Sequence, residues 1–169
     1  MSGFAKLIPA FTAHVIIDAP TIVGPLSRGN ALFHVKIREN EGFIRSEPGY
    51  SIPVDAVFVH GSDYIRQDPD QKHVRLQVDS VLKDSKTDGV IKFSYAGTID
   101  TTGPAGKVLG GAPDAATTGF GEAFTHVTFE TGSAALKGME HKVYVASGRF
   151  ILEAGKPVVV EYKISEVAQ

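Results

Sequence analysis

Between His73 and Asp79 the chain alternates without exception: His73, Arg75, Gln77 and Asp79 are polar, and Val74, Leu76 and Val78 between them are apolar. A two-residue period suits an extended strand with one dry face and one wet face, and no helix gathers such a pattern onto one side. Related alternation recurs along the chain. Phe11, Ala13, Val15 and Ile17 form one face of a first strand, with Thr12, His14 and Ile16 on the other. Ala31–Arg38 places Ala31, Phe33, Val35 and Ile37 opposite Leu32, His34, Lys36 and Arg38. Phe43–Ser46, Asp55–His60, Val90–Ile99, Phe124–Ser133, Lys142–Leu152 and Val158–Val167 read as further strands. Turn residues divide them: Asp18-Ala19-Pro20, Gly24-Pro25, Asn40-Glu41-Gly42, Asp88-Gly89 and Glu153–Lys156.

No helical period is sustained anywhere, and Ser133 caps at most a connecting turn over Ala134–Met139. So many strands in 169 residues with 43% hydrophobic content predict one all-β domain over residues 1–169. The expected architecture is a closed, mainly antiparallel barrel of lipocalin or calycin type, since closure leaves no edge exposed.

Composition narrows the function classes. A net charge of -2 from 17 basic and 19 acidic residues leaves no block of like charge, which argues against nucleic acid and membrane surfaces as partners. The absence of cysteine removes disulfides, thiolate nucleophiles and cysteine-based zinc sites. The N-terminal stretch lacks the order of a secretory signal, and no run of about 18 apolar residues occurs. The expectation is a cytoplasmic protein, with a homodimer left open. The six histidines, at 14, 34, 60, 73, 126 and 141, show no i, i+2 or i, i+4 pairing, so no metal is expected.

Two stretches carry the functional expectations. Asp100–Glu122 holds six glycines and two prolines with no period, and its length predicts a mobile flap over one barrel mouth. Gly103 and Gly106-Lys107 do not make a phosphate loop: the spacing is too short, and Val108 stands where a hydroxyl would meet magnesium. In Phe124–Ser133, His126 and Glu130 share a face with Thr128 between them, opposite Thr125, Val127, Phe129 and Thr131. That polar face is either the barrel interior or its outer wall. Gly61-Ser62-Asp63-Tyr64 reads as the end of a strand, with Asp63 either in an Asx-type turn or available as an acid.

The Gly61–Tyr64 stretch, the Asp88-Gly89 hairpin with its strand to Gly97, the Phe129-Glu130-Thr131 triplet and the Val/Tyr-rich terminal hairpin together resemble the family catalogued as domain of unknown function 3237. These are small β-barrels of bacteria and fungi. Where the family usually has Gly-Gly-Ala-Asp-Trp, this chain has Gly61-Ser62-Asp63-Tyr64, and Gln77-Val78-Asp79-Ser80 replaces an Asp-Val-Arg-Tyr strand. Fungal members sit in biosynthetic pathways, and one closes a dihydrofuran ring in phenalenone biosynthesis by adding a hydroxyl across a prenyl alkene. The resemblance therefore implies a cofactor-free cyclase acting on an aromatic or prenylated small molecule by intramolecular hydroalkoxylation. The other expectation is a lipocalin-like carrier that performs no chemistry.

Such a cyclase must take a proton from a hydroxyl and give one to an alkene while holding the two together. The candidate acids and bases are Asp63 and Glu130, with His126 beside Glu130 as a proton relay. His34 would orient the substrate, and Tyr64 and Tyr95 would donate to a developing oxyanion. If the His126–Glu130 face were the lumen, burial would raise the Glu130 carboxyl towards neutrality.

Overall fold

A computed structural model describes residues 3–169. In chain order the strands are β1 Lys6–Ile17, β2 Thr21–Pro25, β3 Ala31–Lys36, β4 Phe43–Ser46, β5 Asp55–Gln67, β6 His73–Asp84 and β7 Val90–Asp100. Helix α1, Pro104–Leu109, separates β7 from β8 Ala123–Thr131; a 3-10 turn at Lys137–His141 then leads to β9 Tyr144–Ile151 and β10 Val158–Ala168. Every pairing is antiparallel. The sheet closes on itself through β5–β6, giving a barrel of eight staves in which β3 and β4 share one stave between β1 and β5. The seam between the first and last strands is long, running from Lys6 opposite Ala168 to Ile17 opposite Val158. No helix among the described residues is long and apolar enough to cross a membrane.

The alternation seen in the sequence is the inside–outside alternation of the staves. Val74, Leu76 and Val78 point inward with Ile91, Phe93 and Tyr95 from β7, while Arg75, Gln77 and Asp79 face outward. One half of the lumen is solid. Phe11 packs against Tyr50, Phe129 and Tyr144 with ring centroids 5.0, 5.4 and 5.7 Å away, and Phe93 stacks on Phe129 at 5.3 Å. Aromatic pairs at these separations add to the hydrophobic gain from burial. Buried Leu136 and Met139, from the connection between β8 and β9, and Ile52 close that end, where the Tyr50 hydroxyl donates to Glu166 over 2.7 Å.

Three local features depart from expectation. β2 forms where Gly24-Pro25 suggests a turn, because the β1 path continues past Pro20 and pairs with β3. The connecting turn over Ala134–Met139 is instead a 3-10 turn beginning at Lys137, and Ser133 makes no side-chain cap there. Asp100–Glu122, expected as a flap with no regular structure, does lie over one barrel mouth, but it carries helix α1 and is tied to the wall. Its α1 buries Ala105 completely and receives a cap from Glu122, whose carboxylate accepts the Ala105 amide proton at 3.0 Å. Thr118 then ties the segment to β9: its amide donates to the Phe150 carbonyl at 2.9 Å and its hydroxyl accepts from the Phe150 amide at 3.0 Å.

Candidate functional site

The feature that builds the site is an extra residue in β5. Its register against β6 shifts between Phe58 and His60, so Ala56 and Phe58 point inward before the shift and Gly61, Asp63 and Ile65 point inward after it. Gly61 permits the strand to continue, because a Cβ there would lie 2.6 Å from the Ser80 Cβ. Asp63 is therefore a mid-strand residue of the lumen, 8% exposed, and Tyr64 beside it is 44% exposed on the outside.

The Asp63 carboxylate accepts the Gln77 amide proton through Oδ1 at 2.9 Å. No other hydrogen bond reaches it among the described residues, and the side chain borders a cavity of about 30 Å³, room for a water or two. The cavity walls are Val15, Val35, Leu76, Ile99 and other aliphatic side chains, with the Tyr95 and Tyr162 rings as neighbours. Burial pushes the Asp63 carboxyl up from its usual 3.8 to about 7, against the opposing pull of the Gln77 amide and the Arg66 charge. Tyr95 and Tyr162 are buried with ring centroids 5.1 Å apart, and burial, together with the adjacent Asp63 charge, holds both phenols neutral by pushing their pKa values up.

Above this chamber lies a vestibule of about 710 Å³, within the range typical of small-molecule sites. Phe33, Val35, Ile65, Val74, Val108 and Leu109 supply much of its wall, and Asp18, Arg38, Gln67 and Lys156 bring polar groups to it. Arg38 donates to Asp18 at 2.7 Å. Ile17, Val35, Ile65, Leu109 and Phe150 border both spaces, so the chamber is the floor of the vestibule.

Of the six residues singled out from sequence, Asp63 and Tyr95 meet in this lumen and the other four do not. The strict in–out pattern of β8 turns Val127 and Phe129 inward and Glu130 outward. The Glu130 side chain is 64% exposed and binds Lys92 at 2.8 Å, so the burial that would have tuned it is absent. His126 lies on the same outer wall, in a groove with Phe124 and Leu7. His34 and Tyr64 are cross-strand neighbours whose rings pack at 5.2 Å on the outside of β3 and β5. Tyr162 was missed; its place on β10 opposite Ala13 and Gly148 is a matter of register, although the alternation Val160, Tyr162, Ile164 marks an inward face.

Among the described residues, those able to converge on a cation are Asp68, Asp70 and His73, whose ligating atoms lie within 4.8 Å of one another. Asp68 is already held by Arg75, with an Nη2 to Oδ2 distance of 2.7 Å, which accounts for the cluster as a surface ion pair. Among the described residues the chamber is lined by one carboxylate and two phenols, a set suited to proton transfer.

The fold is shared with solved structures. A conserved protein of unknown function from Rhodopseudomonas palustris superposes with a TM-score of 0.77 at 16% identity, covering 98% of this chain and 99% of that one. A β-barrel-like protein from Acinetobacter baumannii gives 0.70 at 15% identity, covering 99% and 98%. An enzyme from Penicillium herquei gives 0.58 at 11% identity, covering 96% and 94%. No curated protein matches. The family described as protein of unknown function (DUF3237) matches residues 5–167, nearly the whole barrel, and the chain belongs to it.

Proposed function

We propose that this protein is a cofactor-free cyclase that adds a substrate hydroxyl across an alkene of the same molecule, an intramolecular hydroalkoxylation of a prenylated aromatic compound of fungal secondary metabolism. The observation that carries this reading is a carboxylic acid poised near neutral pH on the floor of an otherwise apolar lumen. A pure carrier gains nothing from that placement, because burying an ionisable group without a partner costs stability. The likeness to an enzyme from Penicillium herquei agrees with catalysis on this fold.

In the proposed reaction the protonated Asp63 carboxyl gives its proton to one alkene carbon. The substrate hydroxyl oxygen bonds to the other carbon, and its own proton returns to the carboxylate. Atoms balance and nothing is oxidised or reduced. Tyr95 and Tyr162, kept neutral by burial, accept a hydrogen bond from the substrate hydroxyl and so keep electron density on the attacking oxygen. The vestibule holds the reacting atoms together, an effect worth about 7 to 11 kcal/mol in well-oriented systems.

The test is incubation of the purified protein with ortho-prenylated phenols and naphthols, following cyclic ether formation by chromatography and mass spectrometry. Asp63→Asn should lower turnover by about a hundredfold or more. Turnover by the variant at the wild-type rate would remove Asp63 from the chemistry.

A further inference from the structure

The outside of the barrel is uneven in its chemistry. On β6 it presents Arg75, Gln77, Asp79 and Lys83 to solvent. Across β7 to β10 the outward side chains differ in kind: one cross-strand row runs Ala96, His126, Val145, Ser165, and the next runs Thr98, Phe124, Ser147, Lys163. Leu7, Phe124 and Val143 on this wall are each at least 60% exposed. The wall dips into a groove of about 520 Å³, in which the short side chains of Val145 and Ser147 form the floor and Phe124 stands as a ridge beside it. No residue of the groove borders the vestibule or the chamber, so this surface has a role apart from the lumen. Large exposed apolar patches of this kind mark interaction sites.

We infer that this wall is the interface of a symmetric homodimer, in which Phe124 of each copy seats in the groove over Val145 and Ser147 of the partner subunit. Three observations select a second copy over any other partner. The first is relief. Ridge and groove are immediate neighbours, because Phe124 and Ser147 are direct cross-strand partners. A two-fold axis passing beside that pair places each ridge in the opposite groove, which is the reciprocity a two-fold interface requires.

The second is charge. A surface that meets its own copy sets like against like, so an uncompensated charge there repels. Lys163 is the one formally charged side chain bordering the groove among the described residues, and Glu47 neutralises it at 2.8 Å. The margins are matched as well, Lys92 with Glu130 at 2.8 Å and Arg149 with Glu161 at 2.8 Å. A wall with no net charge offers nothing to nucleic acid, to an acidic peptide or to an anionic membrane. The third is area. Five staves and three outward rows make a face of about 24 by 20 Å, and side-chain relief brings its accessible area to on the order of the 800 Å² that each partner gives to a stable complex. Leu7 of β1 and Ser165 of β10 border the same groove, so the interface also covers the seam of the barrel.

The test is sedimentation velocity of the purified protein over a dilution series, with no ligand added. The wild type should run at twice the 18.0 kDa of one chain. Phe124→Asp sets two carboxylates in the grooves and should weaken the dissociation constant by about a hundredfold or more. Phe124 is exposed on the single chain, so the variant should keep the wild-type circular dichroism spectrum. Because the chain has no cysteine, a second variant reports on the face directly: Ser147→Cys, beside the axis, should give a disulfide-linked dimer on mild oxidation, and Asp79→Cys, on the charged wall, should not. A wild type that stays at 18.0 kDa at about 100 µM, above the micromolar limit for interfaces of this size, overturns the inference. So does a dimer that survives Phe124→Asp, or one that links through Asp79→Cys as readily as through Ser147→Cys. A monomer that takes up an apolar dye, and loses it in Phe124→Asp, gives the groove to a small molecule and overturns it too.

Discussion

Asp63 should make the stability of this barrel depend on pH in the direction opposite to an ordinary carboxylate. Its folded value of about 7 lies above the unfolded value near 3.8, so the unfolded chain releases this proton first as pH rises. The contribution is fully favourable below about pH 4, is lost progressively up to about pH 7, and is constant beyond. At about 1.36 kcal/mol per pH unit between the two values, ionised Asp63 costs the fold about 4 kcal/mol at and above neutrality. Asp63→Asn removes that dependence while its amide oxygen can still accept the Gln77 amide proton; the new NH₂ group, facing an apolar chamber, costs about 1 to 3 kcal/mol at every pH. Urea unfolding of both proteins at intervals from pH 4 to 9 should give a difference curve that climbs in favour of the variant by about 4 kcal/mol across the acid limb and then flattens. All other carboxylates titrate alike in the two proteins and cancel. Difference curves flat to within about 0.5 kcal/mol would show that Asp63 ionises normally and would refute the desolvation reasoning behind the site.

Further outcomes follow from the outer wall, the lumen and α1. Glu130→Gln should leave turnover unchanged and shift stability by no more than about 1 kcal/mol, since its partner Lys92 is an exposed surface cation; a large loss of activity in the same ether-forming assay would return Glu130 to the mechanism. Thr125→Val should raise the unfolding free energy by about 1 kcal/mol, because Thr125 Oγ1 is a buried oxygen with no hydrogen-bond partner among the described residues. Limited trypsin digestion should spare the already exposed Lys107 in the wild type, where helix α1 holds its backbone, and Gly106→Ala should make it cleavable, because a Cβ at Gly106 would lie 1.8 Å from the Thr101 carbonyl oxygen and force α1 off the barrel.

The barrel was legible because burial imposes a two-residue period on each stave, and β6 shows it without interruption from Val74 to Asp84. The site was less legible because a single inserted residue reverses parity. Counting inward positions from Ala56 and Phe58 without the irregularity at Val59–His60 turns Tyr64 into the lumen and Asp63 out of it, the reverse of what the structure holds. In β8 no bulge intervenes, but alternation alone does not say which face is inside. The decision comes from neighbours: Val127 lies opposite Tyr95 and Tyr144, and Phe129 opposite Phe93, all of them buried. The glycine content of Asp100–Glu122 suggested looseness, yet Gly106 is there for close approach to Thr101, and the polar anchors at Thr118 and Glu122 are contacts between distant parts of the chain.

The seam between β1 and β10 has a kinetic consequence. β1 is made well before its principal partner, Val158–Ala168, so the cylinder cannot close until β10 has followed. Until then the backbone of Phe11–Ile17 has beside it the short β4, four residues long, and the Lys36–Arg38 end of the same stave, and its other edge is unpaired. Pairings that span nearly the whole chain are slow to find, because the loop-closure entropy is lost before the contacts repay it. A nascent chain with an apolar, unpaired first strand is therefore open to association with its neighbours, and the yield of folded protein depends on how long that strand waits.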